Sequence, residues 1–161
     1  MPTTKIIYLK ILFSILLLSA FFSCDSKKAE PSVFHKSPHE ITLISVSDIG
    51  GNLGNYRIIK ATKDSVFVEK GMTANKTHKE WVSAINPETW KKLVSSVNIV
   101  DLDHIKSSPS RQSADGMDET FQIRTPKKSH IYVNAYADTL HYKQLQQLKE
   151  QLDHILPKEY Q

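Results

Sequence analysis

The residues able to do chemistry are spread along this chain rather than gathered in one motif. Asp48 stands just before Gly50-Gly51-Asn52-Leu53-Gly54, a segment holding three of the chain's five glycines. Glycine-rich loops cradle phosphates when they lead from a strand into a helix N-terminus. This one leads into the strand-like residues 56–61, and no Gly-Lys-Ser/Thr follows. It therefore reads as a turn that demands unusual backbone geometry, or as a partner-binding edge comprising Asp48, Gly50, Gly51, Asn52, Leu53 and Gly54. In the second case Leu53 is the apolar anchor.

The acidic residues Asp115, Asp118 and Glu119, with Asp101 and Asp103 upstream, carry oxygen ligands suited to calcium, but their spacing fits no EF-hand loop. His104 beside Asp103 has the makings of an acid–base pair. The seven histidines are otherwise scattered, without a His-Glu-x-x-His helix. For serine chemistry the chain lacks both Gly-x-Ser-x-Gly and Ser-x-x-Lys, so Ser107-Ser108-Pro109-Ser110 reads as a loop. No catalytic residue, metal site or cofactor is expected on these grounds.

Cys24 is the one cysteine, which excludes an intrachain disulfide and a cysteine-rich zinc site. It closes an N-terminal segment with Lys5 and Lys10, a nearly unbroken apolar run over residues 6–22, and Ser23. A basic start, an apolar centre and a small residue before the cut mark a secretory signal. A cysteine directly after that small residue resembles a bacterial lipobox. The resemblance implies that Cys24 is acylated, which ties the chain to a membrane and leaves no thiol for nucleophilic catalysis.

Export alters the charge. The full chain carries a formal +4, but cleavage before Cys24 removes Lys5 and Lys10 and no acid, leaving +2. Basic runs are only pairs, such as Lys91-Lys92 and Lys127-Lys128, so a nucleic-acid partner is not expected. The expected organisation is a signal peptide over 1–23, a polar tether over 24–39 and one domain over 40–157.

The elements that would position these residues follow from periodicity. Residues 41–46, 56–61, 65–70, 120–125 and 130–133 read as strands. Asn86-Pro87-Glu88 is a strong helix start, and Trp90, Leu93, Val94 and Val97 make one apolar face, with an end expected near Asn98. Leu145, Leu148, Leu152 and Ile155 predict a last helix, capped by Asp138 and stopped by Pro157. Residues 71–85 are too polar to assign. The order β-β-β-α-β-β-α predicts an α+β fold, an antiparallel sheet with two helices packed on one face.

That layout, with Gly50-Gly51-x-x-Gly54-x-Tyr56 after the first strand, Val100-Asp101-Leu102-x-x-Ile105 and Ser108-Pro109 before Asp115-Gly116, resembles a family of small Bacteroidota lipoproteins. More distantly it resembles emfourin, a proteinaceous inhibitor of M4 metalloproteases. The resemblance covers about residues 41–156 and implies protein binding rather than catalysis, with an envelope protein or protease as the partner. The alternative is a small-ligand-binding protein or hydrolase. A concave pocket lined by Asp48, Asp103, His104 or Asp115 would favour that alternative, and an exposed rigid loop without a pocket would favour protein docking.

Overall fold

The computed structural model describes residues 37 and 39–161. The expected signal peptide, Cys24 and nearly all of the tether lie outside the described residues. Lys36–Gln161 forms one compact unit with its own core. Its strands are β1 (Leu43–Gly50), β2 (Asn55–Ala61), β3 (Ser65–Met72), β4 (Thr77–Ala84), β5 (Met117–Arg124) and β6 (Ser129–Val133). The helices are α1 (Pro87–Ser95) and α2 (Tyr142–Ile155), joined to the strands by short 3-10 turns.

All six strands pair antiparallel in the order β4-β3-β2-β1-β5-β6. The fold is α+β, as the periodicity predicts. Alternation puts Ile44, Val46, Ile59, Val68, Phe121 and Ile123 on one face, all essentially inaccessible to solvent. Leu93 of α1 and Leu145, Leu148 and Leu152 of α2 close the core against that face. The other face stays largely open, which a one-sided antiparallel sheet allows.

The element order departs from expectation in one place. Residues 77–84 form β4, an edge strand, so the true order is β-β-β-β-α-β-β-α. Only Trp81 of this strand packs on the core, where it meets Tyr160, so its sequence shows no apolar alternation. Edge strands are normally kept polar in this way. β1 also starts two residues later and ends four residues further along than expected, so it carries Asp48 inside the strand.

α1 starts as its sequence dictates. The Asn86 side chain accepts the Thr89 N–H at 2.7 Å and Pro87 occupies the first turn. The helix ends at Ser95, before the expected Asn98, although Val97 remains buried. α2 begins at Tyr142, because Asp138 instead caps the preceding turn through the His141 N–H. Packing continues past Pro157, since Tyr160 is buried and donates its hydroxyl to the Glu80 carbonyl.

Candidate functional site

The glycine-rich segment is a tight connection between β1 and β2. Gly50, at φ 139°, faces the start of β5 so closely that a Cβ there would lie 2.2 Å from the Gly116 carbonyl oxygen. Gly51, at φ 76°, donates its N–H to that same oxygen at 3.1 Å. The Gly54 carbonyl accepts Thr73 N–H at 3.0 Å, and the Leu53 carbonyl accepts Ala74 N–H at 3.1 Å. These bonds stitch the loop to the β3–β4 turn. Asn52 points to solvent, and Leu53 stays 45% exposed. The glycines allow the close backbone approach, and Leu53 does not fold inward.

Asp48 belongs to a different group of residues. It sits on the helix side of the sheet directly opposite Arg57 of β2 and Glu119 of β5. Lys149 of α2 places its Nζ 2.7 Å from Asp48 Oδ1 and 2.6 Å from Glu119 Oε1. Arg57 holds Asp48 Oδ2 at 3.2 Å and Asp153 Oδ1 at 2.7 Å. The Tyr142 hydroxyl donates to Glu119 Oε2 at 2.7 Å. The network thus ties three strands to one helix across the last turn of covered sheet.

Its protonation follows from this geometry. Burial works against the Lys149 charge, but the bonds from Asp48 and Glu119 outweigh it and raise the ammonium pKa. Burial, then the bond to Glu119, pushes the Tyr142 phenol upward as well. Lys149 therefore stays charged and Tyr142 stays protonated across the physiological range. Every carboxylate oxygen of Asp48 and Glu119 already accepts at least one hydrogen bond from Arg57, Lys149 or Tyr142.

Beyond this network the sheet continues uncovered, and an open cleft of about 700 Å³ lies over it. Its lining includes Asp48, Arg57, Lys70, Lys79, Met72, Met117, Glu119 and Lys149. Lys70 and Lys79 face each other in register on β3 and β4, and Arg57 is in register with Lys70. Among the described residues, neither lysine makes an ion pair.

The other candidates lie elsewhere. Asp115 is an exposed turn residue at φ 53°. Asp118 is buried and bonded to Ser110, the Arg111 N–H and Asn134, so it holds a loop. Asp103 pairs with Lys128 and lies 3.4 Å from His130, while His104 stacks on His141 with ring centroids 6.1 Å apart. Among the described residues, no three His, Cys, Asp or Glu side chains converge as a metal site. Among them, too, no helix is long and apolar enough to cross a membrane.

Arg57, Lys70, Lys79 and Lys149 carry no signal of chemistry in the sequence, and Glu119 stands out there only as one of the acidic residues suited to calcium. Four of these five do leave a signal of position. Arg57, Lys70, Lys79 and Glu119, like Asp48, each stand one same-face step beyond an apolar residue packed in or on the core: Ile59, Val68, Trp81, Phe121 and Val46. No protein-family model matches this chain, and no curated protein matches it.

Proposed function

We propose that this chain is an exported envelope protein, held to a membrane through acylated Cys24, whose domain is a non-catalytic binding module. The end of the sheet that carries the glycine-rich loop and the cleft is its working surface. One observation carries the reading. The cleft's two carboxylates, Asp48 and Glu119, are held by Arg57, Lys149 and Tyr142, while Leu53, Met117 and the cleft itself remain open to solvent. A site built for acid–base or nucleophilic catalysis leaves a reactive group free to meet its substrate. A site built for recognition fixes its polar groups and exposes apolar surface.

The resemblance to emfourin makes an envelope protease a partner of the right kind, docked on Leu53. The cleft supports the second reading, a smaller ligand, because Asp48 lines it as that alternative requires. Asn52→Ser combined with Leu53→Asp tests the loop. Immobilised wild-type protein should retain a species from its native envelope that this variant loses, with no change in melting temperature. Equal capture by both proteins removes the loop from the binding surface.

A further inference from the structure

The cations of the cleft are arranged at a cost that the fold itself does not require. Arg57, Lys70 and Lys79 occupy directly opposed positions on three neighbouring strands and share the helix-side face. Like charges facing each other across strands destabilise a sheet. Arg57 is compensated by Asp48 and Asp153. Lys70 and Lys79 are not. Glu69 and Glu80 are their chain neighbours and also face each other in register, but alternation sends them to the opposite face, where His78 Nε2 lies 3.7 Å from Glu80. Lys70 Nζ lies 6.0 Å from the ring centroid of Tyr160.

Beside these two charges the cleft also has apolar walls. Met72 and Met117 lie at core-parity positions that α2 no longer covers. Methionine is flexible and polarizable and suits a surface that moulds to an aliphatic chain. The volume of about 700 Å³ lies within the range of sites that enclose small molecules. Four cationic side chains line the cleft against two carboxylates, and both carboxylates are already bonded.

We propose that this cleft binds an anionic amphiphile, a molecule with an apolar body and one carboxylate or phosphate head, the head held between Lys70 and Lys79 and the body against Met72 and Met117. The proposal rests on the reading of the domain as a binding module and names the class of its small ligand. A bound anion relieves the repulsion between the two lysines, so charge complementarity selects the head. The methionines select for the body without demanding a particular shape.

The chain offers a local probe. Met72 and Met117 are the only methionines within Lys36–Gln161, and both line the cleft. Carbon-13 methyl labelling of methionine in this unit gives two signals that report on the cleft alone. Four dodecyl probes are titrated below their micelle concentrations: dodecanoate, dodecyl phosphate, dodecyl maltoside and dodecyltrimethylammonium. The two anions should shift both methyl signals at concentrations about tenfold lower than the maltoside, with the ammonium weakest. Whichever anion acts at lower concentration identifies the head group.

Lys70→Gln with Lys79→Gln should bring the anions to within about twofold of the maltoside while the melting temperature holds or rises. Retention of the full anion preference in that variant overturns the assignment to the two lysines. Equal midpoints for all four heads overturn the anionic class but leave the cleft an apolar binding site. Absence of any methyl shift overturns the inference outright, and the binding-module reading then stands or falls on the Leu53 loop.

Discussion

Asn134 is fully buried, and its Nδ2 donates to the Asp118 carboxylate at 2.7 Å while its Oδ1 accepts the Glu119 N–H at 3.0 Å. This pair secures the long connection over residues 105–116 to the sheet, because Asp118 also accepts the Arg111 N–H and the Ser110 hydroxyl. The backbone bond from Arg111, then those from Ser110 and Asn134, hold the Asp118 carboxyl below its ordinary value of 3.8 despite burial. A carboxyl whose folded pKa is depressed stabilises above its unfolded value, and that stabilisation is lost as pH falls through the folded one. Asp118→Ala should cost about 1–3 kcal/mol at neutral pH by removing the carboxylate that accepts from Ser110, the Arg111 N–H and the buried Asn134. The deficit should shrink below pH 3.8, as measured by urea unfolding at several acidic pH values.

Gly50 and Gly51 are adjacent, yet their replacement by alanine should differ. Gly51→Ala has room, its nearest atom 3.5 Å away, and bears only the strain of a positive φ, about 1–2 kcal/mol. Gly50→Ala adds a collision with the Gly116 backbone and should cost clearly more, with the β1–β5 end pried apart. Hydrogen exchange of the Gly51 and Asn55 amides reads the difference. Equal costs would show that contact with Gly116 is unimportant.

Lys149 bridges Asp48 and Glu119 with its side chain 22% exposed. Lys149→Met should destabilise by about 2–3 kcal/mol, between the values for exposed and fully buried pairs. Much of that loss is the penalty of two carboxylates left facing each other. Adding Glu119→Gln should therefore recover part of it, and a double-mutant cycle of thermal unfolding measures the recovery. Strict additivity would mean that Lys149 contributes by packing alone.

His130 is buried at 7% exposure beside Tyr132, with ring centroids 6.5 Å apart. Burial, with the Lys128 charge second, lowers its pKa from 6.5 against the opposing pull of Asp103. Unfolding exposes a histidine that binds protons more readily. The stability it supports is present above about pH 6.5 and drains away as pH falls toward the folded value. His130→Phe should remove this dependence, flattening the melting temperature between pH 7 and pH 5. A slope unchanged from wild type assigns the sensitivity to other groups.

The helices were legible because their signals are local. Asn86-Pro87-Glu88 fixes the start of α1 through its own neighbours, and the leucines of α2 repeat at the helical period. β4 was not, because Thr77-His78-Lys79-Glu80 carries no apolar pattern and its strand geometry comes from pairing with β3. The site splits the same way. Three glycines mark the β1–β2 turn in any reading, whereas the cleft exists only once register sets Asp48, Arg57, Lys70, Lys79 and Glu119 in one row. Asp48 was singled out for the wrong companions. Proximity in sequence joined it to the loop, and the pleat turned it toward Lys149. Nothing in its sequence neighbourhood marks His130 as buried, and it is β6 alternation that places it beneath the sheet with Tyr132.

The direction of β1 has a consequence for reach. The chain enters the sheet at Leu43, and the cleft and the Leu53 loop lie past Asp48 at the far end of that strand. β1 alone separates the two ends by about 25 Å at the rise of an extended strand. Between Cys24 and Ile41 the backbone spans at most about 60 Å when fully drawn out. If Cys24 carries the proposed lipid, the chain enters the sheet at the opposite end of β1 from the cleft and the Leu53 loop, so neither is at the point of attachment.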